Sequence, residues 1–266
     1  MNKKIAFVGG GNMATAIIGG LIGSGLVPAE NIAVADISDA AREKLQKNFG
    51  VATYQQNAKA VEGADIVVLA IKPIYLAEAV ADFGNTLPGG TIVISIVAGQ
   101  SIQKLQGMFK NPVKIARVMP NTPALVGEAM SALTPADNMD QQDTQLVLQL
   151  LGSIGKAEVV PERLMDAVTG VSGSSPAEVF MFIEALADSV VEAGMPRAQA
   201  YTFAAQAVMG SAKMVLQLGE HPAALKDMVC SPGGTTIVAV RTLEERGMRA
   251  AVMDAVKACI EKQQQL

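Results

Sequence analysis

The 266-residue chain is half hydrophobic but has no Trp and only three Tyr and seven Phe, so its core must be built from Ala, Val, Ile, Leu and 14 Met. A formal net charge of −4, with no run of Lys or Arg, excludes a phosphate-tracking surface for nucleic acid. Cys230 and Cys259 are too few for a disulfide framework, which points to a reducing, cytoplasmic setting.

After "MNKK", residues 5–29 carry no charge, as a signal peptide or membrane span would. Seven of those 25 residues are Gly, however, and "GGG" interrupts the run directly after the apolar "IAFV". That pattern is a strand, a glycine turn and a helix, with no membrane segment. Strands are predicted at 5–8, 32–35, 66–70, 91–96, 113–118 and 156–160, with helices between them at 14–24, 40–49, 74–83, 102–109 and 141–154. Short apolar runs alternating with helices predict an α/β fold, a doubly wound and mostly parallel sheet covered on both faces.

The pattern changes near Pro161. From Leu164 onward only helical periodicity appears, broken at 173–176, 194–196, 219–222 and 232–234. Val179, Ile183, Leu186 and Val190 form the stripe of a buried helix face, and Phe180, Phe182 and Val191 widen it. Two domains are therefore expected, a nucleotide-binding one over 1–161 and an all-α one over 162–266. Apolar residues on more than one helix face favour packing against a second copy, with a single thick helical domain as the alternative.

"VGGGNMA" is a G-x-G-x-x-A pattern (Gly9, Gly11, Ala14) between a strand and a helix. Gly9 permits the tight turn, Gly11 admits a pyrophosphate, and Ala14 lets the helix pack close to the sheet. Asp36 ends the second strand where a ribose-binding acid stands. It favours NADH, because a carboxylate accepts from the 2′-hydroxyl and repels a 2′-phosphate; the alternative is a helix cap, which Ser38 or Asp39 can supply equally. "LAIKPIYL", "SIVAGQS" and "RVMPNTPALVG" end further strands and should wall the same crevice. Lys72, Asn121 and Thr122 are the polar residues there.

"CSPGGTT" (230–236) opens one more helix. Ser231 or Thr235 could cap it, or the glycines and hydroxyls could form an anion site. Other chemistries find little support. His221 precedes Pro222 at a helix start and reads as a helix-entry residue. Metal-ligand spacings are absent, and "GVSGSS" fits the hydrolase G-x-S-x-G elbow only at Gly170 and Ser172, among helices.

The motifs at 8–14, 70–73, 117–123, 173–180 ("GSSPAEVF") and 230–244 ("CSPGGTTIVAVRTLE") occur in the order of pyrroline-5-carboxylate reductases, and the whole chain resembles that family. The resemblance implies a Rossmann domain and a C-terminal domain interlocking two subunits, with dimers often assembled into rings. It also implies reduction of (S)-1-pyrroline-5-carboxylate to L-proline by NADPH or NADH. By the same resemblance Ser231, Gly233, Gly234, Thr235 and Thr236 receive the substrate carboxylate, and the Thr236 hydroxyl approaches the ring nitrogen. The coenzyme falls to Gly9, Gly11, Asn12, Met13 and Asp36, with Asn57, Ala70, Ile71, Lys72 and Pro73 beside them. Ala98, Gly99 and Asn121 complete that set. Two departures stand out: Ser175 and Glu178 where the family commonly has Gly and Tyr, and Asp36 where NADPH-preferring relatives carry Ser, Asn or Arg. Rival readings are a 3-hydroxyacid dehydrogenase of similar plan and a non-catalytic NAD(P) sensor.

Overall fold

The computed structural model describes residues 1–265. Eight strands, β1 (Ile5–Val8), β2 (Ile32–Ala35), β3 (Ala52–Tyr54), β4 (Ile66–Leu69), β5 (Ile92–Ser95), β6 (Lys114–Met119), β7 (Ala129–Pro135) and β8 (Gly155–Val159), form one sheet in the order 3-2-1-4-5-6-7-8. The first six are parallel in the order of a dinucleotide-binding fold. β7 runs antiparallel to β6, and β8 parallel to β7. The helices over this part are α1 (Asn12–Gly23), α2 (Asp39–Phe49), α3 (Asn57–Val61), α4 (Leu76–Ala81), α5 (Ile102–Gln106), α6 (Gln141–Gly152) and α7 (Met165–Val168).

The strands read as near-continuous apolar runs because both faces of the sheet are covered. Ile5, Phe7, Ile32, Val34, Ile66 and Val68 point into one core; Ala6, Val8, Val67, Leu69 and Val93 point into the other. Side chains alternate faces with period two, so β1, β4, β5 and β6 each supply both layers. Burying each of the larger side chains stabilises the fold by roughly 1.5–3 kcal/mol.

Two strands escape sequence prediction. β3 is a three-residue edge strand with a half-exposed "TY", paired on one side only, with β2. β7, "AMSALTP", is rich in residues that do not favour strands, and its extended form is supported by ladders to β6 and β8 on either side. The expected helices at 74–83 and 102–109 are shorter, as α4 and α5, the first preceded by a 3-10 turn at Pro73–Tyr75.

The chain divides into two compact units: residues 1–173 with the end of the chain from Ile260, and Ser174–Cys259. α8 (Ser175–Glu192), α9 (Arg197–Leu218), α10 (Pro222–Val229) and α11 (Thr235–Glu245) build the second unit with most of α12 (Met248–Gln263). α8 begins directly after a π-helical turn at Thr169–Ser174. The second unit has a small core: Ala187, Ala200 and Ala204, with Ile183, Leu186, Val190, Val191 and Met195 packed around them. The stripe read as buried is therefore buried only in part. Val179 is 40% exposed and Phe180 63%.

Candidate active site

The parallel register sets the ends of four strands at one level. Val8 pairs with Ala35 and with Leu69, and Leu69 pairs with Ser95, so Gly9, Asp36, Ala70 and Ile96 step off the same sheet edge together. Gly9 has φ +100, and a Cβ there would lie 2.4 Å from the Ala70 carbonyl oxygen and 2.7 Å from Ile71 Cγ2. Only glycine lets the β1 loop and the β4 loop close on each other this way.

The amides of this loop fall into two sets. Gly9 N–H donates to the Ala35 carbonyl (2.8 Å) and Gly10 N–H to Asp36 Oδ2 (2.7 Å). Beyond them Gly11 is the N-cap of α1; no side chain caps the helix, and a Cβ on Gly11 would meet nothing within 4 Å. The first-turn amides of Asn12, Met13 and Ala14 have no intrahelical acceptor. An uncapped helix start above open space fits the pyrophosphate of a dinucleotide.

Asp36 is not the cap of α2, as the alternative reading had it. Ser38 is, its hydroxyl accepting from the Ala41 amide. The Asp36 carboxylate instead bridges backbone, with Oδ2 accepting from Gly10 N–H and Oδ1 from Ser38 N–H at 2.8 Å. Arg42 turns back to donate to the Asp36 carbonyl oxygen (2.6 Å) and pairs with Asp39.

Of the other predicted coenzyme residues, Lys72 and Pro73 lie exposed after β4, with Ala70 and Ile71 beneath them, and Gly99 takes φ +71 in the loop after β5 beside Ala98. Two predicted side chains are engaged within the protein. Asn57 Nδ2 donates to the Ala79 carbonyl (3.3 Å). Asn121, buried, accepts from Met130 N–H (2.9 Å) and donates to the Ser172 carbonyl and hydroxyl (both 3.2 Å). Ser172, the serine of the hydrolase near miss, is thus tied into a structural knot on a π turn.

Sequence reading missed the bracket beneath the loop at 97–101. Glu162 Oε1 accepts from the Ile102 amide at the start of α5 (2.8 Å) and from Arg117 Nη1 of β6 (2.9 Å). Arg117 is 45 residues away and its side chain only 15% exposed, and no local pattern announces such a pair.

In the second unit, residues 231–236 form a tight turn opening α11. Gly234 N–H donates to the Ser231 carbonyl (3.0 Å), and Gly233 takes φ +69. The expectation of a Ser231 or Thr235 cap is corrected: Gly234 is the N-cap, and no side chain caps the helix. Among the described residues the hydroxyls of Ser231, Thr235 and Thr236 make no hydrogen bond. A Cβ on Gly234 would sit 2.3 Å from Ser231 Oγ, so the two are closely matched. His221, by contrast, does cap its helix, Nδ1 accepting from Ala223 N–H at 3.1 Å.

Comparison with known proteins follows the same division. A family model described as pyrroline-5-carboxylate reductase dimerisation matches residues 162–266. One described as NADP oxidoreductase, coenzyme F420-dependent, matches 4–99. The pyrroline-5-carboxylate reductase of Escherichia coli (strain K12) is 51% identical over 266 residues, covering 100% of this chain and 99% of that one. The structure of the Coxiella burnetii reductase superposes with a TM-score of 0.90 at 30% identity, covering 100% of this chain and 98% of that chain. The Plasmodium falciparum pyrroline carboxylate reductase, solved with NADP bound, gives 0.88 at 32%, covering 99% and 98%.

Proposed function

This chain belongs to the pyrroline-5-carboxylate reductase family, and we propose from that premise that it reduces (S)-1-pyrroline-5-carboxylate to L-proline with NADH or NADPH as hydride donor, the last step of proline biosynthesis. The observation that carries the reading is the start of α11, rich in capping residues yet capped by no side chain. Three unengaged hydroxyls beside the first-turn amides of α11, which no side chain caps, are a receptor for an anion, and the substrate's carboxylate is that anion.

A reduced nicotinamide, when bound, supplies hydride to the imine carbon. The remaining work is orientation by the chain's own groups. Ser231, Gly233, Gly234 and Thr235 hold the carboxylate; the helix N-terminus favours it by about 0.3–1 kcal/mol, and each charge-assisted hydrogen bond adds roughly 1.5–3 kcal/mol. Thr236 orients the ring nitrogen. That nitrogen brings its own proton, so hydride addition yields the neutral amine and the site has no need of a strong base. The coenzyme's phosphates fall to Gly11, Asn12 and Met13, with Gly9 shaping the turn. Asp36 takes the ribose, and the loops at 70–73 and 98–99, with Asn57 and Asn121 behind them, wall the crevice.

The reading assigns 1–161 to nucleotide binding and 162–266 to substrate binding and dimerisation, the span of the matching dimerisation model. It includes a homodimer through the C-terminal helices, with dimers closing into a ring, in the cytoplasm. Support comes from the exposed apolar helix faces of the second unit and from two free cysteines. Among the described residues no helix is long and apolar enough to cross a membrane. The test is direct: purified protein with pyrroline-5-carboxylate should consume NADH or NADPH and form proline in equal amount. Absence of proline with both coenzymes would overturn the reading.

A further inference from the structure

We propose that this chain selects NADH over NADPH, and that Asp36 and Ile37 together make the selection. The inference rests on the reductase reading above and specifies its coenzyme.

The Asp36 carboxylate is clamped by two backbone amides, Gly10 N–H on Oδ2 at 2.7 Å and Ser38 N–H on Oδ1 at 2.8 Å. A carboxylate offers about four acceptor positions, so each oxygen keeps one for a ligand. The clamp also fixes where those positions point. Gly10 belongs to the turn that opens α1, so the carboxylate is anchored to the same backbone that receives the pyrophosphate. Such an anchored acceptor suits a ribose diol, whereas a 2′-phosphate would bring like charge against it.

A site for a 2′-phosphate needs a cation to offset that charge, and this loop has none to give. Residues 36–41 read "DISDAA". The next residue, Arg42, is spent: its guanidinium donates to the Asp36 carbonyl oxygen at 2.6 Å and pairs with Asp39, leaving the side chain 17% exposed. Moving it to a phosphate would break both bonds.

Ile37 is the independent observation. It directly follows Asp36 and is 84% exposed, the highest exposure of any large hydrophobic side chain among the described residues. A large aliphatic side chain left in water beside a ribose-binding carboxylate is suited to lie against a flat apolar group. Adenine is the group that the ribose would deliver there. A coenzyme phosphate at the same spot would find hydrocarbon in place of a guanidinium.

The experiment measures Kd for NADH and for NADPH by nicotinamide fluorescence, alongside kcat/KM for each with pyrroline-5-carboxylate. Wild type should favour NADH by about tenfold or more in both measures. Asp36→Ser should shift the ratio at least about tenfold towards NADPH. Because Asp36 also braces Gly10, Ile37→Arg is the second variant; it leaves the clamp intact and should shift the ratio the same way. Equal affinities, or tighter NADPH binding, in wild type would overturn the inference while leaving the reductase reading in place, as would two folded variants with an unchanged ratio. Failure to bind either coenzyme would overturn both.

Discussion

Replacing Thr236 with Ala separates a substrate contact from a helix cap. The N-cap of α11 is Gly234, and the Thr236 hydroxyl has no partner within the described residues. Its removal therefore breaks no internal hydrogen bond. Ala is the better helix former, by up to roughly 0.7 kcal/mol, so the melting temperature should hold or rise slightly. Catalysis should behave differently. One hydrogen bond to a charged group is worth about 1.5–3 kcal/mol, and tenfold in rate is about 1.4 kcal/mol, so kcat/KM for pyrroline-5-carboxylate should fall roughly 10- to 100-fold. Coenzyme affinity, read by fluorescence titration, should not change. Thr236→Ser restores the hydroxyl and should recover most of the loss. An alanine variant that melts early yet reduces substrate normally per folded molecule would refute the reasoning, because it would show that the hydroxyl serves the helix.

Other expectations concern parts away from that hydroxyl. Glu162→Ala leaves Arg117 and the Ile102 amide without their shared acceptor; the coenzyme KM should rise several-fold with kcat held, and Glu162→Gln, which keeps Oε1, should largely restore it. The Lys4 amide, with Lys3 beside it, holds the Asp65 carboxyl below its ordinary value. A depressed folded value makes the unfolded chain the stronger proton binder, so Asp65 contributes stability that is complete above about pH 4 and lost as pH falls further. Denaturant melts should show wild type ahead of Asp65→Asn at neutral pH and the gap closing in acid. Phe180→Asp, on the exposed face of α8, should turn sedimenting dimers into smaller, inactive species; a variant still dimeric and active would exclude that face from the contact.

What was legible in the sequence is what local chemistry dictates. A strand, three glycines and an acid at the end of the next strand can be read because each requirement lies within a few residues of the turn that imposes it. Gly9 bears this out with a positive φ and a carbonyl 2.4 Å from its missing Cβ. The stretch at 230–236 was legible as a helix start carrying more polar groups than a cap needs, although which residue caps it was not. β7 was not legible, since its ladder partners lie 13 to 19 residues away in β6 and 26 away in β8. The same holds for Asn121, whose rigid loop suggested a site wall while its side chain joins Met130 to Ser172, and for the Arg117–Glu162 pair. Long-range partners decide those positions, and the residue itself carries no mark of them.

The second unit's small core has a consequence in mass action. Three alanines at the centre of paired helices bury little hydrocarbon, while Phe180, Met181, Phe203 and Leu216 each leave 60% or more of their surface in water. Hydrophobic stabilisation that is missing within a chain has to be found between chains, and then folding free energy depends on how many chains are present. In the proposed dimer, dilution then acts as a denaturant for this half of the molecule. On that proposal a newly made chain completes its fold by meeting a sibling, so the supply of competent enzyme rises more steeply than the supply of polypeptide when the protein is scarce.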